Sequence, residues 1–103
     1  MIIPSKAYKQ YERDALWFLN YDGDTINYPV NVKAIFYMKT RRKVDLVNLQ
    51  EALLDVLVAA EILEDDNCRI VASMDGSRVE YDKYAPRTEV EITEISNYER
   101  IYT

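Results

Sequence analysis

Three aspartates are the residues of this chain whose type and placement best suit chemistry. Asp45 precedes a long segment with apolar residues at helical spacing, and the pair Asp65-Asp66 follows that segment. Carboxylate oxygens are the ligands that hard divalent cations such as Mg2+ prefer, and such a cation can polarise a phosphate and lower the pKa of water. The three aspartates are therefore candidate ligands of a magnesium site suited to phosphodiester hydrolysis.

A simpler interpretation of the same carboxylates stays open at this point. Asp45 can act only as a helix cap, and Asp65-Asp66 can simply solvate a loop. A helix of about fifteen residues is about 22 Å long and would separate Asp45 from the acidic pair. A shared metal site then needs a connection that doubles back to the helix start, or a symmetric dimer whose partner supplies the second set of carboxylates.

A basic segment, residues 39–43, lies immediately before Asp45. The formal net charge of the chain is -5, so the molecule as a whole repels nucleic acid unless positive charge is concentrated locally. Such a segment could hold a phosphate backbone while the carboxylates hold the metal beside it, although a solvated strand end is the alternative. The cationic residues of the segment are Lys39, Arg41, Arg42 and Lys43.

Composition places narrow bounds on the class of protein. The 103 residues, 49% hydrophobic and 30% charged, predict a single globular domain over residues 1–103. The absence of histidine excludes Ser-His-Asp and Cys-His catalysis and the common zinc-ligand sets. The lone Cys68 cannot form an internal disulfide, and no signal-peptide pattern or apolar run of membrane length is present. We expect a cytoplasmic protein with no membrane partner.

Apolar spacing predicts two helices that would position these residues. Residues 4–19 carry apolar side chains every three or four positions after Pro4, which suits a helix start. Residues 46–60 repeat this spacing, and Asp45 stands where an N-cap side chain accepts the free amide protons of the first turn.

Alternating apolar residues predict the strands. Residues 30–38 have the period of two that places one face on a core. Residues 69–74 predict a short strand, a turn at 75–76 predicts a hairpin partner at 79–81, and residues 90–94 predict the last strand. The expected fold class is α+β, with a small mixed sheet of about three to four strands packed against two helices.

Two acidic motifs stand out in the sequence, RRKVDLVNLQ followed by DVL, and LEDD. In these motifs and in the spacing between them, the chain resembles the RusA family of Holliday-junction resolvases. Further similarity, to a Gram-positive and phage branch of that family, lies in a Pro-Ser-Lys segment followed by two tyrosines and in PRTE before the last strand. In sequence order the matching segments are residues 4–11, 41–50, 55–57, 63–66 and 86–89.

The resemblance implies a homodimeric, magnesium-dependent endonuclease of prophage type. Such an enzyme would cut four-way junction DNA by paired phosphodiester hydrolysis in recombination and repair. Asp45 and Asp66 match the first and last metal-binding aspartates and are the candidate catalytic residues. Asp65 matches the acidic neighbour, and the basic segment matches the cationic stretch that lies against DNA.

Two positions depart from the family pattern. Val47 stands where the family has a second aspartate, and Glu51 stands where it has a catalytic lysine. Glu51 is six residues after Asp45, about 240° around a helix, so it does not replace the missing carboxylate on the same face. Asn48, three residues after Asp45, is a neighbour on the helix surface and a further candidate ligand. A DNA-structure-binding protein that has lost catalysis, and a small protein-interaction module, therefore remain alternative functions.

The resemblance also sets an expectation for the N-terminus. Family members usually carry a further strand and a polar loop before the Pro-Ser segment, whereas only Met1 and two apolar residues precede Pro4 here. We expect either a shortened version of the fold or a native start upstream of Met1. In the first case, an edge strand of the sheet would be missing.

Overall fold

The fold is built on one long central strand, β2 (Val30–Met38). The computed structural model describes residues 2–4 and 23–95. The alternate β2 side chains Val30, Val32, Ala34 and Phe36 are at most 3% exposed. Their burial confirms the predicted strand and its core face, because the period-two pattern arises from one side of the pleat packing on other elements.

One helix, α1 (Leu46–Ala59), packs its apolar side against this face. Its side chains Leu53, Val56 and Leu57 are at most 2% exposed. The helix begins and ends within one residue of its predicted limits. The first predicted helix lies outside the described residues, apart from Pro4, which belongs to a strand. No helix in the described part of the chain is long and apolar enough to cross a membrane.

The sheet is mixed, as predicted. Its remaining strands are β1 (Ile2–Pro4), β3 (Val71–Ser73), β4 (Arg78–Tyr81) and β5 (Arg87–Glu94). Strand β5 pairs antiparallel with both β1 and β2, whereas β3 and β4 run parallel to β2 along its other edge. In the described part of the chain, five strands thus occupy four positions across the sheet. Strand β1 lies at the edge of the sheet, beside β5.

The predicted hairpin between β3 and β4 is wrong. Strand β2 advances five residues from Val30 to Ile35 while its partners advance seven, from Val71 to Arg78. One extra residue falls at the register shift between the pairs Val30–Val71 and Asn31–Ser73. The other falls in the turn that contains Asp75-Gly76, where the glycine has a φ of 86°. The chain leaves this turn in its original direction.

Side chains that bridge from β2 and from the turn hold this arrangement. The backbone N–H of Asp75 donates to Asn31 Oδ1 at 2.8 Å. The backbone N–H of Ala34 donates to Ser77 Oγ at 3.0 Å. Each bond replaces a ladder hydrogen bond at the interruption, so the turn stays attached to β2 and does not fold back as a hairpin.

A tight C-terminal turn ends α1. Glu61 has a positive φ of 59°. Its N–H donates to Val58 O at 3.0 Å, and the N–H of Ile62 donates to Leu57 O at 3.0 Å. These two bonds define a Schellman motif, which satisfies carbonyls that the helix leaves free and reverses the chain.

The reversed chain is then tied to the segment before β2. Ile26 donates its N–H to Ile62 O at 2.8 Å, and Glu64 donates to Ile26 O at 2.9 Å. Ile62 and Leu63 are 2% and 1% exposed. In the connection at residues 61–67, Ile62 and Leu63 therefore belong to the core, whereas Glu61 and residues 64–67 are exposed.

Candidate functional site

The acidic pair lies against the C-terminal half of α1. Asp65 and Asp66 line an open cleft of about 420 Å³ together with Asp55, Val58 and Ala59. The Schellman turn and the bonds to Ile26 fix the chain here, immediately before the pair. The connection does not double back to the start of the helix.

Asp65 shapes the turn that carries this pair. Its Oδ1 accepts the backbone N–H of Asp66 at 2.8 Å, and its Oδ2 accepts from Asn67 Nδ2 at 3.0 Å. These bonds, chiefly the one from the Asp66 backbone, hold the pKa of Asp65 below its ordinary value because they favour the ionised carboxylate. Both Asp65 oxygens thus have local partners, while the neighbouring Asp66 brings a second exposed carboxylate to the cleft.

Asp45 lies at the opposite end of α1. Its Oδ1 accepts the N–H of Val47 at 3.0 Å, which confirms the predicted N-cap. Asn48 is exposed one helical turn further on, and Val47 is 58% exposed. The thirteen residues from Asp45 to Val58 correspond to about 20 Å of helix axis. The structure therefore does not bring Asp45 and the acidic pair together within one chain.

The oxygen ligands suit a hard divalent cation, but they lie at opposite ends of α1. Carboxylate oxygens are present at both ends of α1, and Asn48 adds an amide oxygen at the first. Within residues 23–95, no three His, Cys, Asp or Glu side chains form a group that could hold a metal. The shared site of Asp45 and Asp66 stays a prediction, and it needs ligands from beyond the described part of a single chain.

The basic segment is exposed and docks against the end of β4. All four of its cationic residues are exposed. The guanidinium carbon of Arg41 lies 4.3 Å from the centroid of the Tyr81 ring, within the range of a cation–π contact. The N–H of Arg42 donates to Thr40 Oγ1 at 3.4 Å. Basic charge is therefore concentrated at the end of the sheet where β2 and β4 finish.

The loop between β4 and β5 lies at this same end. The N–H of Asp82 donates to Met38 O at 2.9 Å, so the loop begins beside the last residue of β2. Lys83 Nζ lies 5.0 Å from the centroid of the Tyr84 ring, and that side chain is 87% exposed. No functional role was predicted for this loop from the sequence, in which an aspartate four residues before a proline signals only a turn.

Arg87 anchors the far side of this loop. It donates from Nη1 to Asp82 Oδ2 at 3.0 Å and from Nε to Glu89 Oε2 at 2.8 Å. Its guanidinium carbon also lies 4.0 Å from the centroid of the Tyr37 ring. The bond from Arg87, followed by that from the Ala85 N–H, holds the pKa of Asp82 below its ordinary value.

A mixed sheet with one capped helix, carboxylates at both helix ends and a cationic sheet end is consistent with the resemblance described above. The family model for endodeoxyribonuclease RusA matches residues 1–93. The chain therefore belongs to the RusA endodeoxyribonuclease family.

A curated relative supports this membership. The crossover junction endodeoxyribonuclease RusA of Aquifex aeolicus (strain VF5) is 34% identical over 59 residues, which cover 55% of this chain and 47% of the relative. The match thus spans about half the length of that protein. The family resemblance is confirmed, and the Gram-positive and phage branch stays a prediction.

Proposed function

We propose that this protein is a divalent-metal-dependent, structure-specific endonuclease that resolves four-way DNA junctions in recombination and repair. The observation that carries the proposal is the match of residues 1–93 to the RusA family, combined with carboxylates at the first and last acidic positions of the family motif. Asp45 and Asp66 are the proposed catalytic residues, and Mg2+ is the proposed cofactor.

The proposed active unit is a homodimer that joins the two ends of α1. About 20 Å of helix separates Asp45 from the acidic pair in one chain. A two-fold axis that brings Asp45 of one subunit near Asp66 of the other would make two equivalent sites, one for each strand to be cut. Asn48 would add a ligand beside Asp45, and Asp65 would hold the turn that presents Asp66.

The protein side chains and the metal would have separate tasks. When bound, Mg2+ supplies stabilisation of the phosphate charge and activation of water. The exposed cations of the basic segment hold the DNA backbone next to the start of α1. The N-cap bond from the Val47 N–H fixes the orientation of the Asp45 carboxylate in the absence of metal.

Cleavage of a synthetic four-way junction, with and without Mg2+, tests this proposal. The wild-type protein should nick the junction only with Mg2+, and Asp45→Asn and Asp66→Asn should each abolish nicking. Asp75→Asn is the control, because Asp75 is exposed on the β3–β4 turn and belongs to neither acidic group. Absence of Mg2+-dependent nicking in the wild-type protein would contradict the enzymatic proposal.

A second function is favoured by the residues at positions 47 and 51. Val47 and Glu51 are exposed on α1 where the family has an aspartate and a lysine, which suits a protein that binds junction DNA without cutting it. The wild-type protein should then bind the junction without cutting it, and Asp45→Asn and Asp66→Asn should bind it with the same affinity as the wild type. A protein-interaction module would instead show no salt-dependent affinity for DNA. A protein that makes several phosphate contacts should lose DNA affinity steeply as the salt concentration rises.

A further inference from the structure

Tyr84 is the most exposed large hydrophobic residue in the part of the chain that the structure describes, at 87%. A single exposed ring on a protein surface needs no functional explanation by itself. Here the ring is accompanied by two further features, a fixed backbone and a cationic setting.

The backbone that carries the ring is held by hydrogen bonds. Asp82 Oδ1 accepts the N–H groups of both Tyr84 and Ala85, each at 3.1 Å. Arg87 Nη1 donates to Asp82 Oδ2 at 3.0 Å and to Ala85 O at 2.8 Å. Pro86 restricts the chain further. The loop therefore presents Tyr84 in one backbone conformation, which lowers the entropy lost when a ligand binds.

The ring also lies beside the basic segment. Met38 and Tyr81 are register partners at the ends of two parallel strands, and Arg41 covers the Tyr81 ring. Tyr84 follows Tyr81 by three residues, so their Cα atoms are within about 11 Å. Lys83 adds a cation 5.0 Å from the Tyr84 ring centroid. Aromatic surface and positive charge thus occupy one end of the sheet.

An exposed aromatic ring among cations is the arrangement by which proteins hold unpaired bases, since the cations contact phosphates and the ring stacks on a base. Bases inside a duplex are already stacked on their neighbours, whereas a branch point can offer a free base face. We infer that Tyr84 stacks on an unstacked nucleobase at the branch point of the DNA held by the basic segment, an inference that rests on the proposed function. The residue would favour branched over duplex DNA.

Binding measurements on a four-way junction and on a duplex of the same sequence, both in EDTA, test this inference. Tyr84→Ala should weaken junction binding about tenfold and leave duplex binding unchanged, because one base–aromatic contact is lost. Tyr84→Phe keeps the ring and should bind as the wild type does. Tyr28→Ala is the matched control, since Tyr28 is 41% exposed and precedes the start of β2, a strand that extends about 26 Å from Val30 to Met38.

The outcomes separate this inference from the proposed function. If the wild type prefers the junction and Tyr84→Ala binds it equally well, the stacking role is overturned while the proposed function stands. An equal loss on junction and duplex would also overturn it, because it would indicate a general backbone contact. If the wild type binds neither DNA, the proposed function fails, and the stacking role fails with it.

A fluorescent base gives a direct readout of the contact. With 2-aminopurine at the branch point, wild type and Tyr84→Phe should change its fluorescence on binding, and Tyr84→Ala at saturating concentration should not. The same fluorescence change in all three proteins would contradict stacking by Tyr84. Thermal unfolding of Tyr84→Ala should match that of the wild type, since the side chain is exposed.

Discussion

Arg87 and Asp82 form an ion pair of 3.0 Å that closes the loop between β4 and β5. The same guanidinium pairs with Glu89 at 2.8 Å and lies over the Tyr37 ring. One side chain thus joins the loop, the start of β5 and the middle strand of the sheet. The position of Tyr84 depends on this residue, because Asp82 is the acceptor that holds the loop backbone.

Replacement of Arg87 should therefore destabilise the fold more than replacement of a cation with a single partner. Arg87→Ala removes two ion pairs and an aromatic contact, whereas Arg78→Ala removes one ion pair whose side chains are 51% and 44% exposed. We expect a lower melting temperature for Arg87→Ala than for Arg78→Ala, measured by circular dichroism at pH 7. Equal melting temperatures would show that the Arg87 network adds no more stability than the single Arg78 ion pair.

The lowered pKa of Asp82 predicts a dependence of stability on pH. Arg87 and the loop amides favour the ionised carboxylate in the folded state, so the folded pKa lies below its ordinary value of 3.8. The resulting stability is fully present above that value and is lost as the pH falls through the folded pKa. The difference in unfolding free energy between wild type and Asp82→Asn should be constant above about pH 5 and shrink below about pH 4.

The Arg87→Ala background provides the control for this pH dependence. The hydrogen bond from Arg87 is the largest cause of the lowered pKa of Asp82. Without Arg87, the effect of Asp82→Asn on the unfolding free energy should therefore depend much less on pH. Urea unfolding between pH 2.5 and pH 6 measures both comparisons. An unchanged pH dependence in the Arg87→Ala background would assign the effect to other groups.

The left-handed backbone at Glu61 predicts a stabilising substitution. A side chain at a φ of 59° is strained, and glycine is the preferred residue at this position of a Schellman motif. Glu61→Gly should raise the free energy of unfolding by about 0.5 to 1 kcal/mol. Glu51→Gly, in the exposed interior of α1, should lower it by about 1 kcal/mol. Urea midpoints that fall for both variants would contradict the assignment of strain to Glu61.

Two substitutions of Asp45 should separate its capping role from its proposed catalytic role. Asparagine caps a helix as well as aspartate does, whereas alanine loses the bond to the Val47 N–H and should cost about 1 kcal/mol of stability. Asp45→Asn should therefore unfold at the wild-type urea concentration and still fail to nick a junction. If Asp45→Asn were as unstable as Asp45→Ala, its inactivity would not report on metal binding.

The elements set by local periodicity could be predicted from the sequence. Strand β2 and helix α1 repeat their apolar residues at the periods that burial imposes, and Asp45 has the side chain that an N-cap needs. The course of the edge strands was predicted wrongly because it depends on partners far away in sequence. Asn31 and Asp75, whose bond turns the expected hairpin into an interrupted parallel strand, are 44 residues apart.

The sequence motif predicts which residues form the candidate site, but it does not predict the chain path that positions them. The motif points to Asp45 and the acidic pair as candidates. The path after α1 depends on the left-handed backbone of Glu61, and the sequence does not predict it because the residue at such a position is usually glycine. The exposure of Tyr84 could not be predicted for a similar reason. It follows from the bonds among Asp82, Ala85 and Arg87, and the sequence shows only the residue types.

A mixture of two inactive variants tests the central claim, that Asp45 and Asp66 act together across a dimer, most directly. In a mixed dimer of Asp45→Asn and Asp66→Asn subunits, one composite site lacks both carboxylates and the other keeps both. The two variants, unfolded and refolded together, should regain Mg2+-dependent nicking of one strand of a four-way junction, although each variant alone is inactive. A mixture that stays inactive, beside a wild-type protein that cuts after the same treatment, would contradict a site shared between subunits.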